Sequence, residues 1–378
     1  MTKLLILTPA FPEKKAPYKT RFIQEMAETL AAPPTPWNQV EVLAPSVLGG
    51  PLCPNSAIRL RSFHYFSGKK RLKDFKVFPL VPALSFLGSA ILATLEASKN
   101  IDFILAHWLF PMGPVAYLVS RMCHIPYGIY IHGSDYYRYG PHRPFWKTGA
   151  KNILQNARHI WVTNSEIQEG VQKIIEPTKV SHLPCGVHSL FFQGKSYSLP
   201  SNLGRILLYV GDLEEAKGVS LLLEIATLLA KKEKNLKWIL VGQGSRYHWL
   251  NQESKKRGLG SLFSVTGPLP PQEIQELLSM ASLFVFPSRS EGCPVAVMEA
   301  LAMAVPVIGS KLRGIEDLLL SEQQGKILPH FKADLWAEAI LSYLNKSSLQ
   351  KDKDKRFFNL SPHIRTWKEW KKEFLASF

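Results

Sequence analysis

Residues 283 to 310 read LFVFPSRSEGCPVAVMEALAMAVPVIGS. The two ends, LFVF (283–286) and PVIGS (306–310), are short apolar runs of the kind that form strands. Between them GCP opens a stretch long enough for a helix. Proline is tolerated in a first helical turn because its missing N–H would have had no partner there, so the helix starts just after Glu291. From Val295 to Val305 one charged group, Glu299, stands among ten apolar side chains. A lone buried carboxylate is costly or takes up a proton. Glu299 therefore needs a polar partner.

The same alternation of strand and helix runs outward in both directions, which is the signature of parallel sheets with crossover helices. In the first half the strand candidates are KLLIL (3–7), VEVLA (40–44), IDFILA (101–106), YGIYI (127–131), HIWVT (159–163) and VSHL (180–183). PCGVHSLFFQGKSYSLPSNLG (184–204) is rich in Pro, Gly and Ser and marks a hinge. Strands restart with RILLYV (205–210), KWILV (237–241), LFSVT (262–266), LFVF and PVIGS. The expected fold is α/β, two doubly wound Rossmann-like domains facing each other across a cleft, where such sheets bind ligands. Residues 1–185 form the first domain and 186–360 the second. The tail HIRTWKEWKKEFLASF (363–378) carries an aromatic stripe, Trp367, Trp370 and Phe374, that packs on a domain.

A chain of 378 residues is long for one core, and 46 Lys plus Arg against 30 Asp plus Glu give a formal net charge of +16. An anionic partner follows: nucleic acid, an anionic membrane or a phosphorylated small molecule. No nucleic-acid motif is present. Cys53, Cys123, Cys185 and Cys293 show neither zinc-ligand nor disulfide spacing, which fits a reducing cytoplasm. MTKLLILTPAFP reads as a first strand rather than a secretory signal. Val77 to Leu95 is charge-free over 19 residues but interrupted by Pro79 and Pro82, and reads as a buried core helix rather than a membrane span. The stretch 58–78 mixes basic residues with aromatics and suits either an interfacial surface on anionic lipid or a solvated loop.

Four segments carry candidate chemistry. The helix opened by GCP points free amides and a positive dipole end at whatever lies in front of it, which suits phosphate or sugar hydroxyls. Glu291 precedes this helix and Glu299 lies about one and a half turns inside it, so the two would bracket an anion along one wall. Glu299 would then hydrogen-bond a polyol, a ribose being the best fit; the plain alternative is a pair with a neighbouring Lys or backbone group. GDLEEAKG (211–218) places Lys217 to neutralise a pyrophosphate, or else merely in solvent. VGQG (241–244) lets backbone approach closely through Gly242 and Gly244 but lacks the third glycine of a dinucleotide fingerprint. IHGSD (131–135) puts His132 at a strand end, as a structural or a functional imidazole. The pair of aspartates in DKD (352–354) is embedded in the charge run Lys351 to Arg356 and is not a metal site.

Together AHWLFPMGP (106–114), IHGSD, VTNSE (162–166), PCGVHSLFF (184–192), GDLEEAKG, VGQG and PSRSEGCPVAVMEALAMAVPVIGS (287–310) resemble the retaining glycosyltransferases of family 4, with their GT-B architecture. The resemblance implies transfer of a sugar from a nucleotide-diphosphate donor, with retention, by front-face attack in which the leaving phosphate helps take the acceptor proton. It implies no metal and no cofactor besides the donor. It places Glu299 on the ribose, and Glu291 with the backbone of Gly292, Cys293, Pro294 and Val295 on sugar and phosphate. Lys217, with Gly211 and Asp212 of its turn and with Gly242 and Gly244, falls on the diphosphate side, and His132 on the donor sugar. It also implies that the last helix, 361–378, returns to the first domain. Three positions depart from the family pattern: Asp212 stands where Arg is usual, His188 where Asp is usual, and PEKKAPYKTRF (12–22) replaces a glycine-rich loop. Lys14, Lys15, Lys19 and Arg21 are then the candidates for acceptor-side charge. The expected acceptor is a glycan or glycolipid, lipid-linked or of lipopolysaccharide type, met by a cytoplasmic enzyme peripheral to the membrane. The rival reading, raised by Asp212, is a nucleotide-sugar-binding protein without transfer activity.

Overall fold

The computed structural model describes residues 2–14, 17–18, 20–47, 49–51, 57–68, 72, 79–139, 149–193, 204–345 and 359–377. Lys15, Lys19, the charge run 351–356 and parts of the hinge and of the 58–78 stretch lie outside them. The chain divides into two compact units, Met1–Gly186 with Trp367–Phe378, and Val187–Thr366.

In the first unit, seven strands form one sheet: β1 (Lys3–Leu7), β2 (Gln39–Pro45), β3 (Ile58–Phe63), β4 (Phe103–His107), β5 (Tyr127–Ile131), β6 (His159–Val162) and β7 (Val180–His182). They lie in the order β3-β2-β1-β4-β5-β6-β7, every pair parallel, with Leu4 opposite Val40 on one side and Phe103 on the other. β4 and β5 are buried at every residue, as strands covered on both faces must be. The helix Trp367–Ala376 belongs to this unit. Trp370 is fully buried and donates from Nε1 to the Tyr130 hydroxyl at 3.1 Å, Trp367 donates to Glu25 at 2.8 Å, and Phe374 stacks on Trp161 at 4.5 Å.

The second unit holds β8 (Arg205–Val210), β9 (Leu236–Val241), β10 (Phe263–Gly267), β11 (Leu283–Phe286), β12 (Val307–Ser310) and β13 (Gly325–Leu328) in the order β10-β9-β8-β11-β12-β13, again all parallel. Leu207, Leu222, Phe284 and Leu301 are among the residues of its separate core.

Two expectations need correction, and one strand went unread. The first residues of the basic, aromatic stretch form edge strand β3 rather than a loop. IRLRSF alternates, so Ile58 and Phe63 are buried while Arg59 and Arg61 reach the buried carboxylate of Glu41 at 3.6 and 2.6 Å. β13, only four residues long, had too little pattern to read. The charge-free run is not a buried core helix: it forms a helix over Leu80–Ser98 whose Ala83, Phe86, Ala90, Thr94 and Ala97 face inward, while Leu80, Val81, Leu84 and Leu92 are exposed. A uniformly apolar run does not reveal which face packs; here it is the face of Phe86 and the small residues around it.

Candidate functional site

A doubly wound sheet changes winding direction where its first strand meets the strand that restarts the sheet on the other side, and ligands collect at the carboxyl ends of that pair. In the second unit the pair is β8 and β11. Gly211 to Gly218 follow the first, and Pro287 to Pro294 follow the other.

These loops touch backbone to backbone, which explains the glycines. A Cβ at Gly218, whose φ is 73°, would lie 2.0 Å from the Pro287 carbonyl oxygen. One at Gly242, with φ 143°, would lie 1.9 Å from the Gly211 oxygen. Gly244 approaches Leu213 in the same way. Further bonds fix the turns: Leu213 N donates to the Gln243 carbonyl at 3.1 Å, Arg246 N to that of Leu213 at 2.9 Å, and Arg289 N to that of Ala216 at 2.9 Å. Half-buried Asp212 accepts from the Tyr209 hydroxyl through its carbonyl at 2.9 Å. Burial first, then the negative charges of Glu291, Asp212 and Glu214, hold that tyrosine protonated far above its usual range.

The central contact is between two residues marked in the sequence. Lys217 Nζ lies 2.6 Å from Glu291 Oε1, with side chains 28% and 10% exposed, and 3.5 Å from the Ser290 carbonyl. The lysine of the first loop is thus paired with the glutamate of the other. An ammonium has three donors, so one further acceptor can still be served.

Pro294 is the residue capping the helix Val295–Ala302 rather than its first turn; its carbonyl takes the amides of Val297 at 2.9 Å and Met298 at 3.2 Å. Gly292 is buried, Cys293 and Val295 half-buried, and a Cβ at Gly314 would stand 3.0 Å from the Gly292 oxygen. Glu299 sits in this helix, half-buried, about 6 Å along the axis from Val295 at 1.5 Å per residue.

In the first unit, His132 follows β5 directly and is buried. Its ring stacks on Tyr130 at 4.8 Å and 9° and on His107 at 5.1 Å and 15°, with Trp108 at 4.4 Å and Phe22 at 5.2 Å. His132 Nε2 and His107 Nδ1 are 2.8 Å apart. His107 Nε2 is buried without a partner. A bare buried acceptor costs less than an orphaned buried N–H, so we assign the shared proton to His107 Nδ1, leaving His132 to present Nδ1–H as a donor. Burial pushes the His107 imidazole down to about 3, and burial followed by the neighbouring His107 holds His132 well below its ordinary 6.5. Both rings are neutral at pH 7. Asp135 accepts from Leu109 N at 2.6 Å and Gly133 N at 3.0 Å, and burial raises its carboxyl to about 6 against these bonds.

Of the four acceptor-side cations, Lys15 and Lys19 lie outside the described residues. Lys14 is exposed, its amide bonded to the Gly50 carbonyl at 3.2 Å, and Arg21 pairs with Glu25 at 3.0 Å. His107 and Tyr209 went unmarked in the sequence; His107 lay inside AHWLFP at the end of β4, the strand paired with β1 at that sheet's own change of winding. Among the described residues, no three His, Cys, Asp or Glu converge as a metal-ligand group.

The family described as "Glycosyltransferase Family 4" matches residues 20–189, and "Glycosyl transferases group 1" matches 198–357. A putative teichuronic acid biosynthesis glycosyltransferase, TuaC of Bacillus subtilis, is 32% identical over 271 residues, which are 68% of this chain and 65% of that protein. Alpha-D-kanosaminyltransferase of Streptomyces kanamyceticus is 23% identical over 62% of this chain and 65% of its own. The chain thus spans about 65% of the length of these relatives. Among solved structures, sucrose-phosphate synthase from Thermosynechococcus elongatus superposes with a TM-score of 0.75 at 18% identity, covering 100% of this chain and 98% of that one. Anabaena HepE in complex with UDP and glucose gives 0.74 at 15% identity, with 100% of both chains covered. With two all-parallel sheets, glycine-packed turns at the change of winding and matches along both halves, the chain belongs to glycosyltransferase family 4 and has its GT-B fold.

Proposed function

We propose that this protein is a retaining glycosyltransferase whose second unit holds a nucleotide-diphosphate sugar. The observation that carries the reading is the Lys217–Glu291 pair, which joins the two loops flanking the β8/β11 change of winding. Lys217 uses its remaining donor on the diphosphate, Glu299 takes the ribose hydroxyls, and Glu291 with the amides at the start of the Val295–Ala302 helix positions the sugar. In the first unit His132 acts as a neutral donor through Nδ1 in the transfer step, since its depressed basicity disfavours a role as an acid at pH 7. Leaving-group charge is neutralised by Lys217 and backbone amides, so the proposal needs no resident metal and no further cofactor. HepE, solved with UDP and glucose, and TuaC, named for teichuronic acid biosynthesis, support a UDP-linked donor and a polysaccharide or lipid-linked acceptor as the first chemistry to assay. The acceptor would be met at the cytoplasmic membrane face by a peripheral enzyme.

The test is incubation with a panel of nucleotide-diphosphate sugars and bacterial membrane lipid extract in the presence of EDTA. The expected result is sugar incorporation with the donor's anomeric configuration. Asp212 supports a second reading, a binding protein without transfer, and donor binding with neither hydrolysis nor incorporation would establish it instead.

A further inference from the structure

A neutral imidazole has four states open to it: two tautomers, and two ring orientations related by a half-turn about the Cβ–Cγ bond that exchanges nitrogen for carbon. The surroundings of His132 select one of them in two steps. Stacking fixes the ring plane. Tyr130 lies 9° from His132 and 12° from His107, and the two imidazoles are 15° apart, so three rings stand nearly parallel. Tyr130 is itself held at its hydroxyl, which donates to the Leu183 carbonyl and accepts from Trp370 Nε1 at 3.1 Å. Trp108 at 4.4 Å and Phe22 at 5.2 Å close on the His132 ring at tilts of 44° and 59°.

Stacking is blind to the half-turn, because a flipped ring fills the same outline. The choice falls to the 2.8 Å contact between His107 Nδ1 and His132 Nε2. In the flipped ring a carbon stands where His132 Nε2 does now, and the N–H of His107 has no acceptor on either of its nitrogens. In the unflipped ring with the other tautomer, His132 Nε2–H donates to His107 Nδ1 and the proton of His107 moves to Nε2, which is buried with no partner. Each alternative thus strands an N–H of a fully buried ring, and orphaned buried donors are rare because they forfeit their bond to water. A carboxylate or carbonyl usually sets a histidine tautomer. Here the neighbouring carboxylate, Asp135, is taken up by the amides of Leu109 and Gly133 at 2.6 and 3.0 Å, and a second imidazole stands in its place.

We propose that His107 is a positioning residue: its Nδ1–H bond to His132 Nε2 locks His132 in one orientation and one tautomer, leaving Nδ1–H as the donor that His132 offers in the transfer step. His107 acts only through His132. The consequence for transfer rests on the proposed function, whereas the locked tautomer does not.

The test is nitrogen NMR of the full chain with isotope-labelled histidine, its His132 signals identified by their loss in His132→Phe, together with steady-state transfer kinetics. The parent is compared with His107→Leu and His107→Asn. Asparagine places a side-chain N–H where histidine has Nδ1–H, and leucine has no donor. At pH 7 the parent and His107→Asn should both carry the His132 proton on Nδ1 with a bare Nε2, and His107→Leu should show a mixture of tautomers. In His107→Leu kcat should fall at least about tenfold with KM for the nucleotide sugar within about threefold, and His107→Asn should keep kcat within about threefold of the parent. A parent with the proton on His132 Nε2 overturns the inference. So does a His107→Leu variant that keeps either the parental tautomer or the parental kcat, or a His107→Asn variant as impaired as His107→Leu. If His107→Leu does not fold, the spectra of the parent and of His107→Asn still decide. A parent with the expected tautomer that transfers no sugar would leave the His107 lock standing while the proposed reaction falls.

Discussion

Replacing Lys217 by Met separates two roles for one ammonium. In the free protein it pairs with Glu291 at 2.6 Å, and Glu291 is only 10% exposed, so the substitution leaves a nearly buried carboxylate without its cation. Removing one partner of a fully buried pair costs about 3–5 kcal/mol; because Lys217 is 28% exposed and water can reach the gap, about 2 kcal/mol is expected here. Adding Glu291→Gln removes the stranded charge and should return most of that stability, read as the urea midpoint with an unchanged slope. Donor affinity should behave differently. A charged hydrogen bond to a diphosphate contributes about 1–3 kcal/mol, so Lys217→Met should weaken nucleotide-sugar binding by roughly 5- to 150-fold, and Glu291→Gln cannot restore it. The four-protein cycle, measured by urea denaturation and by titration calorimetry, therefore has stability rescued and binding not rescued. Recovery of both in the double variant would make Lys217 a purely structural partner and refute its placement on the diphosphate.

Three further outcomes follow from the geometry. Gly242→Ala forces a Cβ to within 1.9 Å of the Gly211 oxygen at a φ of 143°, so the β8 turn must shift; donor binding should fall at least about tenfold, and calorimetry showing parental affinity would contradict the packing of these loops. Trp370→Ala should destabilise the first unit by about 3–5 kcal/mol in urea, since it empties a fully buried indole site and removes its bond to Tyr130; a loss under 1 kcal/mol would not fit. Acid should weaken the same unit. His107, depressed to about 3, and His132, also depressed, contribute stability that is full above the ordinary imidazole value of 6.5 and is lost as pH falls below it, because the unfolded chain binds those protons first. Asp135, raised to about 6 from 3.8, works in the opposite sense, its contribution being present at low pH and lost as pH rises through 6. Two imidazoles outweigh one carboxyl, so going from pH 7 to pH 5 should lower stability by about 2 kcal/mol; equal or higher urea midpoints at pH 5 would show the signs to be wrong.

What could be read from residues alone divides along physical lines. Strands such as KLLIL and RILLYV are visible because burial on both faces demands unbroken apolar runs. β3 hid behind its arginines, since their partner Glu41 is on β2, some twenty residues away in sequence. Helix Leu80–Ser98 was visible as a helix but not as an exposed one, because only the tertiary packing of Ala83, Phe86 and Ala90 says which face is inside. At the site, the glycines and the Pro294 helix start announced themselves through local backbone needs. The Lys217–Glu291 pair spans 74 positions and the His107–His132 stack 25, and no local pattern encodes such meetings.

The most direct measurement is calorimetric titration of the parent and of Glu299→Ala with a panel of nucleotide-diphosphate sugars. Saturable binding of at least one donor by the parent, weakened roughly 5- to 150-fold in the variant through loss of a charged hydrogen bond to the ribose, is the expected result. No binding by the parent to any donor, or equal affinity in both proteins, would contradict a sugar-nucleotide site built on the β8/β11 loops and the helix that carries Glu299.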